Sequence, residues 1–337
     1  MSSGGPPSPR SPPRGSVRPR AYRSCPEATR EARAVEAVRR WRPGFPLDVA
    51  RTLLPLRRGP ADPAYRSTGD GAVWRASRTP AGIGTLRVLP RPAAGEVEAS
   101  AWGPGADWLL DRLPTLLGAD DAPEALVLPP GPLRDAQRRT AGVRLARTGL
   151  VLESLVPAIL EQKVTTDEAY RAWRTLLRDF GTPAPGPAEG MRVAPSAREW
   201  ALVPSWEWHR AGVDPKRSAT IMRAVRLAPR LEEASAMGHE EAFARLTAVP
   251  GIGVWTAAET LQRSNGDPDA VSVGDFHLPD LVGWALAGRP RSDDAQMLAL
   301  LEPYRPQRHR VCRLLLATGV HAPRYGPRLT PNDHRRR

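Results

Sequence analysis

Leu246-Thr247-Ala248-Val249-Pro250-Gly251-Ile252-Gly253-Val254-Trp255-Thr256-Ala257-Ala258 is the stretch around which the rest of the chain is read. The periodicity of Glu240–Ala248 predicts a helix, Pro250-Gly251-Ile252-Gly253 a tight turn, and Val254 onward a second helix. Two glycines separated by one residue permit positive φ and close approach of another backbone. The amides that open the second helix lack intrahelical acceptors and, with the helix dipole, suit an anion such as phosphate. A helix-hairpin-helix of this kind grips a nucleic-acid strand by its backbone without reading bases. A plain two-glycine turn between packed helices is the competing reading.

Asp275 stands 22 residues past Gly253, in Ala270-Val271-Ser272-Val273-Gly274-Asp275-Phe276-His277-Leu278-Pro279. The apolar alternation of Val271 and Val273 leads into a helix start, where an Asp is commonly an N-cap worth about 1 kcal/mol. Pro279 in the first turn predicts an irregular start to that helix. Upstream, Val151, Leu152, Leu155, Val156, Ile159 and Leu160 mark one helix face, and Pro157 either begins that helix or kinks it. Further helices are expected over 169–180 and 216–231. Another is capped by Ser292 and ends at Pro303, and the last runs from about Pro306 to Gly319. Arg308, Arg310 and Arg313 on that last helix are candidate phosphate contacts or a solvated basic face. Cys312 beside them reads as a buried neutral thiol. Trp206, Trp208 and His209 read as a loop cluster, at a pocket mouth or packed between domains.

The region before 148 has a different period. Ala72–Arg78 and Ile83–Leu89 alternate around Thr79-Pro80-Ala81-Gly82, which is a hairpin signal, and Glu96–Trp102 reads as a third strand. Asp107–Leu113 then reads as a helix limited by Pro114. The expected fold class is α+β: a basic Pro/Arg-rich tail over 1–42, a small antiparallel sheet domain with helix over 43–148, an all-helical domain over 149–322 and a basic tail over 323–337.

The 337 residues carry 49 Lys+Arg against 36 Asp+Glu, a formal charge of +13. Such a balance suits a polyanion. Only Lys163 and Lys216 are lysines, however, and Pro (38) and Gly (29) are abundant as well, a joint excess that GC-rich codon usage also produces. Ten of the arginines lie between Met1 and Arg42, in a stretch too poor in apolar residues to fold alone. Two cysteines, Cys25 and Cys312, exclude a four-cysteine zinc site, a four-cysteine iron–sulfur cluster and a disulfide framework. No run approaches a membrane span and the N-terminus lacks a secretory core, so a soluble, cytoplasmic protein is the default; with the nucleic-acid reading of the hairpin, a nucleoid-associated monomer is the accompanying expectation.

The ordered combination of hairpin, short loop and Asp275 resembles the helix-hairpin-helix DNA glycosylase superfamily. Within it, the chain is most similar to the bacterial 3-methyladenine DNA glycosylase II (AlkA-like) branch. The likeness extends over about 44–320 and includes the sheet domain, the helix with Ala158-Ile159-Leu160-Glu161-Gln162-Lys163-Val164, and Gly212-Val213-Asp214-Pro215-Lys216-Arg217 entering another helix. The resemblance implies double-stranded DNA with damaged, chiefly alkylated, bases as partner and Asp275 as catalytic carboxylate. An ionised carboxylate near C1′ stabilises the oxocarbenium-like sugar formed when the flipped base leaves. It implies DNA-backbone contacts from Pro250, Gly251, Ile252, Gly253 and Val254, with Arg308 in support. The carbonyls of Thr247, Val249 and Ile252 would hold a structural Na⁺ or K⁺; no other cofactor is implied. The wedge that fills the gap left by the base would come from Gln162-Lys163.

Relatives that also cut the strand place a Schiff-base lysine where this chain has Trp255, and a tryptophan forms no imine; a monofunctional enzyme is implied. Trp255 offers a π-face to an electron-poor base. The chain departs from the branch at Glu259, where a pocket tyrosine is usual, and at Leu316, where a tryptophan is usual. Glu259 would face either a base or solvent. These departures leave open a glycosylase for a deaminated or oxidised base and a DNA-binding protein without turnover. His277 resembles a His or Asn of several relatives; a backbone contact and a purely structural side chain are both readings.

Overall fold

The computed structural model describes Met1 and residues 37–323. The 1–36 part of the expected basic tail beyond Met1, with Cys25, and most of the C-terminal tail lie outside the described residues. Strand β1 spans Ala37–Trp41, α1 Val49–Leu53, β2 Tyr65–Ser67, β3 Val73–Thr79, β4 Gly82–Arg91 and β5 Glu96–Trp102. They form one antiparallel sheet of order β1-β5-β4-β3-β2. The hairpin and third strand follow the period-two reading, because one face buries Val73, Leu86, Val88, Val97, Ala99 and Ala101. The opposite face stacks Trp74 on Trp102 at 5.4 Å. The 37–41 part of the segment assigned to the tail from its arginines is instead the edge strand β1; no polar alternation marks it, because apolar Val38 is exposed while Arg39 lies on the part-buried side and donates to the Leu110 carbonyl at 2.8 Å.

Helix α2 (Ala106–Asp111) covers the sheet, and Pro114 does not end it but sits in the first turn of α3, Leu113–Leu116. Such a position costs nothing, since that turn's amides have no partners. Helix α4 (Pro132–Arg139) marks a departure from the expected boundary at 148. Leu126, Leu128 and Ala136 share a core with the C-terminal helices and not with the sheet.

Helix α5 runs over Val151–Leu160 with Pro157 inside it, and so does not begin at the proline. Its start is fixed by a distant group: both oxygens of Glu232 accept from the Val151 and Leu152 amides at 2.8 Å. Helix α6 (Thr166–Phe180) begins with a reciprocal Thr165–Glu168 capping box. A two-stranded ribbon, β6 (Thr182–Pro183) and β7 (Arg192–Val193), precedes α7 (Ala197–Ala201) and α8 (Ser205–Arg210). Trp206, Trp208 and His209 are therefore on a helix. Trp208 is buried, stacking on Trp200 at 5.6 Å, while Trp206 is exposed.

The expected 216–231 helix is two helices, α9 (Pro215–Arg226) and α10 (Ala228–Glu232), because Pro229 cannot continue the first. Helices α11 (His239–Thr247) and α12 (Val254–Ser264) are the predicted hairpin, and α5, α6 and α9–α12 surround one apolar core. Helices α13 (Leu278–Ala287), α14 (Asp294–Leu301) and α15 (Arg308–Thr318) close the chain. The cap of α14 is Asp293, in a capping box with Gln296, and not Ser292, whose hydroxyl finds no partner. Gly319 ends α15 at φ 75°, as a left-handed C′ residue should. No helix among the described residues is long and apolar enough to cross a membrane.

Candidate nucleic-acid site around the hairpin

Only one of the two hairpin glycines uses its freedom. Gly251 sits at φ +96°, where a Cβ would also lie 2.3 Å from the Thr220 hydroxyl. Gly253 is extended backbone at φ −93°. What Gly253 contributes is space: nothing lies within 4 Å of the place its Cβ would occupy. Val254, beside it, is 49% exposed, so the opening amides of α12 face solvent. Ile252 is buried and its amide bonds the Val249 carbonyl at 3.0 Å, and Pro250 presents its carbonyl to the Arg223 guanidinium at 2.8 Å. Among the described residues no backbone amide donates to the Thr247 or Ile252 carbonyl.

Gln162 links this turn to the end of α5. Its amide donates to the Gly251 carbonyl at 3.0 Å and to the Thr256 hydroxyl at 2.8 Å. Lys163 follows at φ +55°, the one non-glycine residue with positive φ among those described. The same turn is anchored from below: Asp214 caps α9, and its partner Arg217, itself buried, donates to the Leu160 carbonyl at 2.6 Å.

Asp275 is half-buried and held at both oxygens. Oδ1 accepts the His277 and Leu278 amides at 2.8 and 2.9 Å, and Oδ2 accepts the Trp255 indole N–H at 3.2 Å. The carboxylate therefore holds the amides of the His277 cap and of the first residue of α13, and touches the edge of the Trp255 ring at once. His277 takes part through its backbone, while its exposed ring packs edge-on against Phe276 at 4.9 Å. Phe276 is 75% exposed beside the carboxylate, a placement that no periodicity marked.

Glu259 lies one turn past Trp255 and faces inward. It accepts from Arg263 at 2.7 Å and from the Ser272 hydroxyl at 2.5 Å. Burial alone would raise its carboxyl, but Arg263, Ser272 and Arg58 outweigh burial and hold it below the usual range. Leu316 is 59% exposed on α15.

The arginines of α15 correct the sequence reading. Arg308 is buried and bidentate on Asp269, at 2.8 and 2.6 Å, and Arg310 is buried against Asp121. Neither is a phosphate contact or a solvated face, because their acids come from segments distant in sequence. Arg313 is partly buried, and its guanidinium is pushed down to about 10 by burial and by Arg263 and Arg310, with Glu259 opposing. His309, one turn earlier, is held well below its ordinary value by burial and the same cations. Burial pushes the Cys312 thiol up to about 12, so it is an inert neutral thiol. Among the described residues no cluster of His, Cys, Asp and Glu is arranged to hold a metal.

No protein-family profile matches the chain. The probable bifunctional transcriptional activator/DNA repair enzyme AlkA of Mycobacterium tuberculosis is 30% identical over 227 residues, 65% of this chain. The chain spans 45% of that relative's length. The 3-methyladenine DNA-glycosylase of Archaeoglobus fulgidus superposes with a TM-score of 0.69 at 16% identity, covering 83% of this chain and 98% of that one. The 8-oxoguanine glycosylase/lyase of Clostridium acetobutylicum superposes at 0.65 and 10% identity, covering 84% and 98%. With an antiparallel sheet followed by the hairpin helices, the chain shares the fold of these two solved glycosylases, and over 227 residues its sequence is similar to that of the mycobacterial protein.

Proposed function

We propose that the protein is a monofunctional DNA glycosylase that flips and hydrolytically removes damaged, chiefly alkylated, bases in base excision repair. The observation that carries this reading is the 3.2 Å contact between the Trp255 indole and Asp275. A base stacked on that ring brings its C1′ toward the carboxylate at the ring's edge. As the glycosidic bond breaks, Asp275 faces the developing positive charge and orients the water that attacks it. Its two backbone donors fix the carboxylate before the base arrives. Trp255 leaves no amine for an imine, so the product is an abasic site without strand cleavage. The open amides around Gly253 and Val254 would take a phosphate. The Thr247 and Ile252 carbonyls, free of backbone donors among the described residues, would hold a Na⁺ or K⁺ whose charge would favour that phosphate, whereas the Val249 carbonyl already takes the Ile252 amide.

The test is base release from methylated duplex DNA by wild type and Asp275→Asn. An Asn variant with full activity ends the catalytic assignment. Equal binding of damaged and intact duplex, without release of any base, supports the binding-protein alternative. One observation favours a second substrate reading. Arg313 has no hydrogen-bond partner among the described residues and lies within electrostatic reach of Glu259, which is already neutralised by Arg263. A guanidinium without a partner near Glu259 would suit a neutral base with carbonyl acceptors, such as a deaminated purine, over a cationic one. Hypoxanthine and 7-methylguanine duplexes assayed in parallel separate the two.

A further inference from the structure

A cleft of about 680 Å³ opens between the C-terminal half of α6, the edge strand β2 and β7. Arg57, Arg66, Arg174, Arg178 and Arg192 line it, and Asp62 is its one acidic residue. Among the described residues, none of the five arginines pairs with a carboxylate. Arg57 donates to the Gly59 and Pro60 carbonyls at 2.8 and 2.9 Å, Arg66 to the Glu189 carbonyl at 2.6 Å and Arg192 to the Gly181 carbonyl at 2.9 Å. These bonds fix three guanidinium groups in place without neutralising them. Arg174 and Arg178 have no hydrogen-bond or ion-pair partner among the described residues. Asp62 does not compensate, because it is buried and its oxygens are taken by the Arg58 and Ala64 amides and the Trp173 indole. Elsewhere on the surface the arginines do sit on acids, as in Arg78–Glu199, Arg87–Asp70 and Arg210–Asp179.

A concave site lined by one sign of charge focuses potential into the groove. Guanidinium forks match phosphate oxygens bidentately. The charges are also arranged as a track. Arg171, Arg174 and Arg178 follow one another at i, i+3 and i+7 on a single face of α6. That helix starts immediately after the Gln162-Lys163 turn, which is bonded to the hairpin. At about 1.5 Å of rise per residue, Arg178 lies about 20 Å from the Thr165 cap. At 3.4 Å per base-pair step this is about six steps, within one helical turn of a duplex.

Resting on the glycosylase reading above, we propose that this arginine cleft binds the phosphate backbone of the duplex flanking the lesion, a second DNA contact apart from the hairpin. The test uses the full chain and the variant Arg174→Gln/Arg178→Gln/Arg192→Gln, with lesion duplexes carrying 4 or 12 base pairs on each side. Each lost phosphate contact removes about 0.9 from the slope of log affinity against log salt. On the long duplex the variant should lose 2–3 from that slope (about 0.9 for each of three contacts) and at least ~10-fold in affinity at physiological salt. On the short duplex its affinity and single-turnover base release should equal wild type, and its melting temperature should be unchanged. An unchanged slope on the long duplex overturns the proposal, as does an equal loss on both lengths. Loss of inorganic polyphosphate binding with long-duplex binding intact overturns it in favour of a free-phosphate site. Failure of wild type to release any base from either duplex strikes instead at the glycosylase reading.

Discussion

At its N-terminus α12 offers solvent the amides that follow Gly253, with no side chain covering them and Val254 half-exposed. At its C-terminus the same helix is sealed. The Arg263 and Ser264 carbonyls accept the Thr148 and Gly149 amides at 3.0 and 2.8 Å, Arg263 bonds the Pro55 carbonyl and Glu259, and both side chains of that pair are about 15% exposed. At one end the Leu261, Arg263 and Ser264 carbonyls find donors within the fold, and at the other the opening amides find none among the described residues. The helix is thus anchored at one end and open to solvent at the other. Stability should concentrate at the sealed end and function at the open one.

The largest effect is expected from breaking the seal. Glu259→Gln leaves Arg263 charged and unpaired in the interior, and urea unfolding should show a loss of about 3–5 kcal/mol. The pH dependence has a definite sign. Because the folded Glu259 carboxyl lies below its ordinary value of 4.5, its contribution is complete above that pH and is lost as pH falls through the folded value. Acid unfolding of the Gln variant should therefore be shallower than that of wild type.

At the open end Asp275→Asn should reverse the pattern. Asparagine still accepts the two amides, so the unfolding midpoint stays close to wild type while base release falls about 10²–10³-fold. A variant that loses stability and activity together would erase the distinction between the ends. Gly251→Ala meets both a positive φ and the Thr220 hydroxyl, and should lower stability by about 2 kcal/mol and weaken duplex binding. The smallest effect belongs to His239, at the start of the hairpin. Its bond to Asp267 at 2.7 Å raises its pKa, with burial opposing. That contribution is present below its ordinary 6.5 and lost as pH rises through the folded value. His239 is about one-third exposed, so solvent screening limits the effect to about 1 kcal/mol, read as a smaller melting-temperature drop between pH 5.5 and 8.5 in His239→Gln.

Much of the fold was legible because its signals are local. The Pro250–Gly253 turn, the alternation of β3, β4 and β5, and Gly319 after α15 each announce themselves within a few residues. The misreadings have a common cause in partners distant along the chain. Arg308 and Arg310 look like a solvated basic face until Asp269 and Asp121 arrive from 39 and 189 residues away. Helix α5 starts where Glu232 caps it, 81 residues from Val151. Strand β1 was hidden because its inward Arg39 and outward Val38 invert the usual alternation, Arg39 finding its acceptor at Leu110, 71 residues away. In the site, the type and order of Asp275 and Trp255 could be read, but not their contact. The arginine cleft was equally invisible, since it gathers its five arginines from four separate segments. Glu259, left open between base and solvent, is turned to Arg263 and Ser272.

Gln162 gives the molecule a mechanical linkage. One amide group bonds both the carbonyl at the tip of the hairpin and a hydroxyl in the first turn of α12. The turn carrying Lys163 and the turn carrying Gly251 therefore cannot be displaced independently without breaking a bond. On the glycosylase reading, the clamp on the backbone and the probe of the base stack share one bearing. Tightening one registers the other, so a base pair is tested only while its neighbouring phosphate is held.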